Sequence, residues 1–381
     1  MHARLINVAI LLVATGSLVS PLCGAASAPA LNVALELAPG PGNPRNSEGD
    51  FLQLKDGRLL FVYTRFTGGS DDHSRADLAC RESSDGGRTW STQDRIIATN
   101  DGGQNIMSVS LLRLSTGRIG LFYLRKNSSA DCRPVLRWSD DETRTWSEPL
   151  DCITNDPGYY VLNNDRVIQL RGGRLVMPLA QHAGADGKWQ DGSALCYLSD
   201  DQGASWRRSR GTLQKDKEGR RVNLMEPGVV ELRDGRLLML LRTRLGCQYQ
   251  SFSSDSGETW STPEATTLYS PESPATIERL PQGPLVLVWN DHRNRPPEER
   301  VARPPIRTPL ALALSRDEGQ TWETPWVLES GKENGYCYTA LEVVGPRLLL
   351  GYCAHASRWG LSTTRVSWLD LEALLGSKST D

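Results

Sequence analysis

The segment SSDGGRTWS (residues 83–91) carries the pattern that decides the fold, because close copies recur along the chain. The copies are SDDETRTW (139–146), SDDQGASW (199–206), SSDSGETW (253–260) and SRDEGQTW (315–322), which start 56, 60, 54 and 62 residues apart. The pattern suits a tight hairpin: the Asp carboxylate accepts backbone N–H groups, the Gly tolerates a positive φ, and the Trp is a large apolar anchor. Five equivalent copies favour a structural role for this motif over a catalytic one.

A second repeated signal lies beside the first. Six times, a short apolar segment is followed by a Gly-centred turn and a longer β-rich segment, as in DGRLLFVYTRF (56–66) and DGRLLMLLRTR (234–244). Each unit therefore reads as four short antiparallel strands, which is the signature of a propeller blade. Residues 29–381, divided by the mean spacing of 58 residues, give about six units. We predict an all-β, six-bladed β-propeller whose last blade is completed by the early segment LNVALEL (31–37).

The N-terminal segment and the composition bound the cellular setting. Residues 1–28 combine an early positive charge, an apolar run and small residues, which predicts a signal peptide followed by one propeller domain at 29–381. We therefore expect a secreted or periplasmic protein with no membrane span. The formal net charge is -2 and the chain has no basic block, so no nucleic-acid partner is predicted.

The cysteines leave the disulfide pattern open. Of eight cysteines, seven follow the predicted signal peptide, so an odd number remains in an oxidising compartment. Cys132 and Cys152, or Cys337 and Cys353, could form disulfides or remain buried thiols. The spacings contain no CxxC or His-rich pattern, so neither a metal site nor a cofactor is predicted.

Polar residues that are not repeated mark the candidate site. In a propeller, the innermost strands and their loops converge on one mouth of the central channel, where polar side chains are not needed for packing. Residues that interrupt the repeat there are found in MEPGVVEL (225–232), RLLMLLRTR (236–244), RTPL (307–310), YTAL (338–341) and a long first loop with Asp71, Asp72 and His73. Asn163, Asn164, Asp165, Arg166, Asp291 and His292 lie near the same mouth, where they could bind sugar hydroxyls or hold turns.

These motifs and their order along the chain resemble the sialidase superfamily, whose repeats are called Asp boxes or BNR repeats. The resemblance implies that Tyr338 is the nucleophile, Glu226 its base and Asp72 the acid/base, with the adjacent Asp71 as the alternative acid/base. It also implies that Arg242 and Arg307 bind the carboxylate of the substrate. A neutral phenol suits a sugar with a carboxylate at its anomeric carbon, because a carboxylate nucleophile would be repelled.

The chain departs from that family at the third substrate-binding arginine. The segment NPRNSEGDFLQL (43–54) has Glu48 in the expected register, so we consider Arg45, Arg65 and Glu48 as further substrate-binding residues. The family's acidic residue after the last second strand is also missing from LLLGYCAH (348–355).

Three functional hypotheses follow from the sequence. The leading one is a secreted exo-α-sialidase-like glycoside hydrolase, which removes terminal sialic acid from a glycan or glycoconjugate by a retaining mechanism. The second is a propeller glycosidase for another acidic or neutral sugar, which Glu48 favours. The third is a carbohydrate-binding propeller without catalysis, because Asp boxes specify a fold and not a function.

Overall fold

The computed structural model describes residues 29–355 and 361–376, so the predicted signal peptide lies outside the described residues. The first three strand groups comprise β2 (Arg45–Gln53), β3 (Leu59–Phe66), β4 (Ala76–Ser83) and β5 (Arg95–Ala98); β6 (Asn105–Arg113), β7 (Ile119–Lys126), β8 (Cys132–Ser139) and β9 (Leu150–Asp151); and β10 (Tyr159–Val161), β11 (Ile168–Gln169), β12 (Leu175–Ala183), β13 (Ser193–Ser199) and β14 (Arg207–Arg208).

Three further groups follow along the chain. They comprise β15 (Met225–Glu231), β16 (Leu237–Arg242), β17 (Cys247–Ser253) and β18 (Glu264–Tyr269); β19 (Thr276–Arg279), β20 (Leu285–Asn290), β21 (Leu310–Ser315) and β22 (Trp326–Glu329); and β23 (Gly335–Val344), β24 (Arg347–His355) and β25 (Thr363–Asp370), which β1 (Asn32–Leu37) joins. Two short helices are described, α1 (Pro297–Arg300) and α2 (Leu371–Gly376). Neither they nor any other described segment form a helix with the length and apolar character needed to cross a bilayer.

Strand pairing follows the repeat found in the sequence. In the described part of the chain, four sheets contain four strands each, and a fifth contains nine because one parallel bridge between Cys132 and Tyr159 joins the second and third groups. Within each group the strands pair antiparallel, in chain order from the innermost strand outward. In the third group the innermost strand is split into β10 and β11, which both pair with β12.

The ring closes through the N-terminal strand. Strand β1 pairs antiparallel with β25, with Val33 opposite Ser367 and Glu36 opposite Arg365. This pairing gives the last group its fourth strand and removes an exposed sheet edge. The prediction that residues 31–37 complete the last blade is confirmed.

The core consists of apolar layers between consecutive groups. One layer is shared by the first and last groups and includes Phe51, Phe61, Leu349 and Val366. Five other large clusters fill the remaining junctions along the ring, one between each pair of consecutive groups. The predicted all-β propeller of antiparallel four-stranded sheets is confirmed, with six strand groups around the ring.

The Asp boxes are hairpin clasps. In the first copy, both carboxylate oxygens of Asp85 accept hydrogen bonds, from the Ser83 hydroxyl (2.9 Å), the Thr89 N–H (3.0 Å) and the Thr89 hydroxyl (2.7 Å). The indole of Trp90 donates to the Gly87 carbonyl and packs against an inter-sheet layer. Equivalent Asp bonds recur in the other four copies. The structural interpretation of the motif is confirmed.

The innermost strands share an irregularity at one end. Strands β2, β6, β15 and β23 each shift register there. At each shift one residue adopts a positive φ: Glu48 (26°), Ser108 (62°), Glu226 (42°) and Tyr338 (58°). Non-glycine residues rarely adopt this conformation, and such strain concentrates at functional sites.

Candidate active site

The four positive-φ residues line one cavity of about 590 Å³ at the mouth of the central channel. Bulges change the direction in which a strand presents its side chains, and here they turn four polar groups toward a common space. The cavity also receives side chains from loops between strands. It brings together six of the residues predicted from the sequence, which are Glu48, Asp72, Glu226, Arg242, Arg307 and Tyr338.

Tyr338, Glu226 and Arg242 form a hydrogen-bonded triangle. The Tyr338 hydroxyl donates to Glu226 Oε1 at 3.3 Å, and Arg242 Nη1 donates to Glu226 Oε2 at 2.6 Å. The same Arg242 Nη1 lies 3.4 Å from the Tyr338 hydroxyl oxygen. Glu226 is therefore placed to accept the phenolic proton, and Arg242 is placed to stabilise the phenolate that would result.

Burial and neighbouring charges together set the charge states of Tyr338 and Arg242. The pKa of Tyr338 lies well above its usual value, because burial and the nearby Glu226 carboxylate disfavour a phenolate, although Arg307 and Arg242 oppose them. Burial also lowers the pKa of Arg242, but Glu226, Tyr338 and Glu272 together raise it above its ordinary value. The resting site thus contains a neutral phenol and a charged guanidinium.

Arg307 completes a pair of buried cations on one side of the cavity. Its guanidinium carbon lies 5.4 Å from the centre of the Tyr338 ring, and its side chain is 4% exposed. Burial lowers the pKa of Arg307, but Cys337, Tyr338 and Glu226 raise it on balance. Two guanidinium groups, Arg242 and Arg307, can therefore offer several donors to an anionic ligand.

Asp72 lines the same cavity and forms an ion pair with Arg45. Arg45 Nη1 donates to Asp72 Oδ1 at 2.5 Å, and the Asp72 side chain is 57% exposed. Partial burial of the Asp72 carboxyl raises its pKa, but the charge and the hydrogen bond of Arg45 lower that pKa below the ordinary value. Asp71, the alternative acid/base, instead accepts bonds from the Ser74 hydroxyl and the His73 N–H within its own loop.

Glu48 occupies the cavity where the family pattern has an arginine. Its carboxylate accepts a short hydrogen bond from the Ser108 hydroxyl, and the residue is 5% exposed. Burial, with a smaller contribution from Cys353, raises the pKa of Glu48 to about 7, although Arg45 and Ser108 oppose the shift. The site therefore has a carboxyl group that exchanges its proton near neutral pH.

Arg65 corrects the sequence-based expectation. It does not line the cavity but forms an ion pair with Asp94 (3.1 Å), which also binds Arg81 (2.6 Å). Arg65 lies in strand β3, and the Asp94 carboxylate holds its guanidinium outside the cavity. Arg45 does not line the cavity either, but it remains a candidate because its guanidinium binds Asp72, which does line the cavity.

Other polar residues singled out in the sequence have structural contacts. The Asp165 carboxylate accepts the Leu341 N–H, and Arg166 Nη2 donates to the Ala275 carbonyl. His292 Nε2 bonds to the Ile306 carbonyl, and Asp291 pairs with Arg293. None of these four lines the cavity, whereas Asn163 and His73 do.

Asn164, one of the polar residues singled out in the sequence, is a positioning residue that binds backbone and not the cavity. Its side-chain amide donates to the Gly49 carbonyl (2.9 Å) and to the Tyr338 carbonyl (3.1 Å), so it holds two of the bulges together. Its spacing in the sequence matches that of three residues at the bulges. Glu48, Ser108, Asn164 and Glu226 each lie nine residues before the glycine of the following turn.

A cluster of aromatic rings in the cavity was not predicted from the sequence. Trp189 stacks on His182 with ring centres 4.9 Å apart and meets Tyr159 edge-on at 4.9 Å. All three line the cavity, and Trp189 is 61% exposed. Trp189 lies in the polar loop between β12 and β13, and counting residues from the repeated motifs does not predict the positions of residues in such a loop.

Comparison with known proteins shows the family to which the chain belongs. The family model described as "BNR repeat-like domain" matches residues 90–346. The chain belongs to this BNR repeat-like family. The BNR protein is 29% identical over 324 residues to a protein named sialidase from Micromonospora viridifaciens, a match that covers 75% of this chain and 46% of that one. It is 24% identical to a sialidase from Bacteroides fragilis, over 76% of this chain and 56% of that one.

The BNR protein thus spans about half the length of these curated relatives. Among solved structures, a Hadza microbial sialidase, Hz136, superimposes with a TM-score of 0.70 at 21% identity, over 87% of this chain and 67% of that one. At this level of sequence identity, the match shows only that the two proteins share a fold. The membership in the sialidase and BNR superfamily that was predicted from the sequence is confirmed.

Proposed function

We propose that this BNR protein is a retaining exo-α-sialidase that acts on terminal sialic acids of glycans after export, with residues 1–28 as its signal peptide and 29–381 as its propeller domain. The observation that carries the proposal is the triangle of Tyr338, Glu226 and Arg242 beside Arg307 in one cavity. A buried phenol with an adjacent carboxylate and two guanidinium groups matches a substrate that has a carboxylate at its reacting carbon.

Substrate binding in this proposal begins with the arginines. Arg242 and Arg307 bind the sugar carboxylate by charge-assisted hydrogen bonds. Arg45 can contribute a third guanidinium when the substrate carboxylate competes with Asp72 for it. The exposed face of Trp189 offers an apolar surface for the leaving group at the rim.

The first chemical step forms a glycosyl–tyrosine bond. As the Tyr338 oxygen attacks the anomeric carbon, its proton passes to Glu226 Oε1, which lies 3.3 Å away. The bond from the anomeric carbon to the leaving oxygen breaks, and Asp72 donates a proton to that oxygen. Loss of the Arg45 contact on substrate binding would raise the pKa of Asp72 and so supply the protonated acid.

The second step releases the sugar. Asp72, now ionised, takes a proton from water as the water oxygen attacks the anomeric carbon. The Tyr338 oxygen leaves and recovers its proton from Glu226. Two displacements at one carbon return the original anomeric configuration.

Glu48 favours a second candidate, a glycosidase for a sugar that lacks the carboxylate. Its carboxyl group lies in the cavity at the register where the family pattern has an arginine. Such a group suits hydrogen bonds to sugar hydroxyls or to an amino group.

A substrate panel tests the proposal. The purified full-length protein is incubated with fluorogenic α-sialosides and with matched neutral and amino-sugar glycosides. We expect turnover of the sialoside, with the α-anomer of the free sugar as the first product by proton NMR. Turnover of another glycoside in place of the sialoside would select the second candidate, and β-anomer as the first product would contradict the retaining mechanism.

The proton on Glu48 is expected to set the pH range for sialoside hydrolysis. Below pH 7 the carboxyl is protonated and neutral, and above pH 7 it is an anion that repels the substrate carboxylate. We expect kcat/KM of the wild type to fall about tenfold more than that of Glu48→Gln between pH 6 and pH 8. Parallel pH profiles of the two proteins over this window would contradict the assignment.

A further inference from the structure

Two cysteine thiols lie behind the wall of the cavity and have no part in the proposed mechanism. Cys337 in β23 and Cys353 in β24 are 2% and 0% exposed, and they stand directly opposite each other in the antiparallel register. The two side chains are in hydrogen-bond contact with each other. With Tyr338 they form a small buried cluster of their own.

The two sulphurs connect two of the arginines of the site. Arg307 Nη1 donates to Cys337 Sγ at 3.4 Å. On the other side, Cys353 Sγ lies 3.4 Å from the Ser47 hydroxyl, which accepts a bond from Arg45 Nη2 at 3.1 Å. A continuous path of polar contacts therefore runs from Arg307 through the two sulphurs to Arg45.

We propose that Cys337 and Cys353 are a redox-active pair that forms a disulfide under oxidising conditions. Residues directly opposite in antiparallel strands have Cα atoms about 4.5 to 5.5 Å apart, within the range of about 4.4 to 6.8 Å that disulfides span. The strand register thus permits the bond without movement of the backbone. Because the two residues lie in adjacent strands of one hairpin, they also meet locally in the chain.

The first half of the exchange joins the protein to a small thiol. The thiolate of one of the two cysteines, such as that of Cys353, attacks one sulphur of a low-molecular-weight disulfide such as oxidised glutathione and releases one small thiol.

The second half of the exchange closes the protein disulfide. Cys337 gives up its proton and attacks Cys353 Sγ in the mixed disulfide, which releases the second small thiol. Two protein thiols have then lost two electrons and two protons, and the small disulfide has gained them. Because both sulphurs are buried in the closed ring, the exchange takes place while the last sheet is open, during folding or partial unfolding.

The other cysteine pair considered from the sequence lacks this geometry. The Cys152 N–H donates to the Pro134 carbonyl at 3.0 Å, two residues beyond Cys132 along β8. The Cys152 thiol instead lies 4.0 Å from the Leu150 carbonyl. The structure therefore assigns the disulfide to Cys337 and Cys353.

Peptide mapping tests the bond without reference to activity. The full-length protein is unfolded and refolded in oxidised or in reduced glutathione, alkylated under denaturing conditions and digested with trypsin. Cys337 and Cys353 then lie in separate peptides, residues 333–347 and 348–358. We expect a linked pair of these peptides after oxidising refolding, in the wild type and in the control Cys80→Ala, and two alkylated peptides after reducing refolding. Alkylation of both peptides after oxidising refolding would overturn the proposal.

A second measurement tests the link to the arginines, and this part rests on the proposed function. A disulfide sulphur is a weaker acceptor, so it holds the Arg307 guanidinium less firmly in the position that binds the substrate carboxylate. The oxidised protein is therefore expected to show a KM for the sialoside about threefold higher or more than that of the reduced protein. The linked peptides with an unchanged KM would keep the disulfide and overturn its coupling to the arginines. If neither form hydrolyses a sialoside, the proposed function fails while the peptide map still decides the bond.

Discussion

The Tyr338→Phe variant is expected to lose about 10³-fold or more in kcat on a sialoside and to keep its fold. The substitution removes one oxygen, which is the atom that lies 3.3 Å from Glu226 and 3.4 Å from Arg242 Nη1. The ring stays in its cluster, so the stability of the protein should change little. Without the phenol, neither the attack on the anomeric carbon nor the proton transfer to Glu226 can take place.

A matched control lies two residues away on the same strand. The Tyr336 hydroxyl bonds to Asn334 and to the Ser330 carbonyl, outside the cavity. Tyr336→Phe makes the same chemical change and is expected to retain kcat within about twofold of the wild type. Both variants are compared by steady-state kinetics and by circular dichroism. A folded Tyr338→Phe protein with wild-type kcat would rule out the tyrosine mechanism.

The Arg242→Met variant is expected to lower the free energy of unfolding by about 3–5 kcal/mol. Arg242 and Glu226 are each only 11% exposed, and their closest atoms are 2.6 Å apart. Removal of the guanidinium leaves the Glu226 carboxylate buried without its partner, which costs more than the pair itself contributes. Urea unfolding at neutral pH measures the change.

Two further variants distinguish the loss of this buried ion pair from the loss of an arginine at an exposed site. Adding Glu226→Gln to Arg242→Met removes the uncompensated charge and should recover a large part of the lost stability. Arg58→Met breaks ion pairs with Asp56 and Glu82 at a site that is 41% exposed, and should cost about 1 kcal/mol or less. Equal losses in Arg242→Met and Arg58→Met would show that the buried pair has no special energetic role.

The fold was predictable because its signals are local and repeated. Each Asp box forms its bonds within five residues of itself, as Asp85 does with Ser83 and Thr89, so the sequence alone contains the interaction. The closing strand β1 was predictable because the last unit lacked a strand. Four residues that line the cavity were predicted from the sequence because they interrupt that repeat: Glu226, Arg242, Arg307 and Tyr338.

The remaining features of the site depend on contacts between distant segments. Arg45 and Arg65 are equally plausible in the sequence, and only the position of Asp94 separates them. The choice of Asp72 over Asp71 depends on how the loop folds back toward Arg45. Asn164 joins Gly49 to Tyr338, residues 115 and 174 positions away, which no local pattern contains.

Strand β1 also has a consequence for how the chain reaches its native state. The ion pair between Glu36 and Arg365 joins residues 329 positions apart, and the whole seam consists of contacts of this kind. Such contacts carry a high loop-closure entropy, so they add nothing to stability until both ends of the chain have been ordered. Tyr338 lies in the sheet that this seam completes, so the sheet around the proposed nucleophile is complete only when the strands near both ends of the described chain have paired.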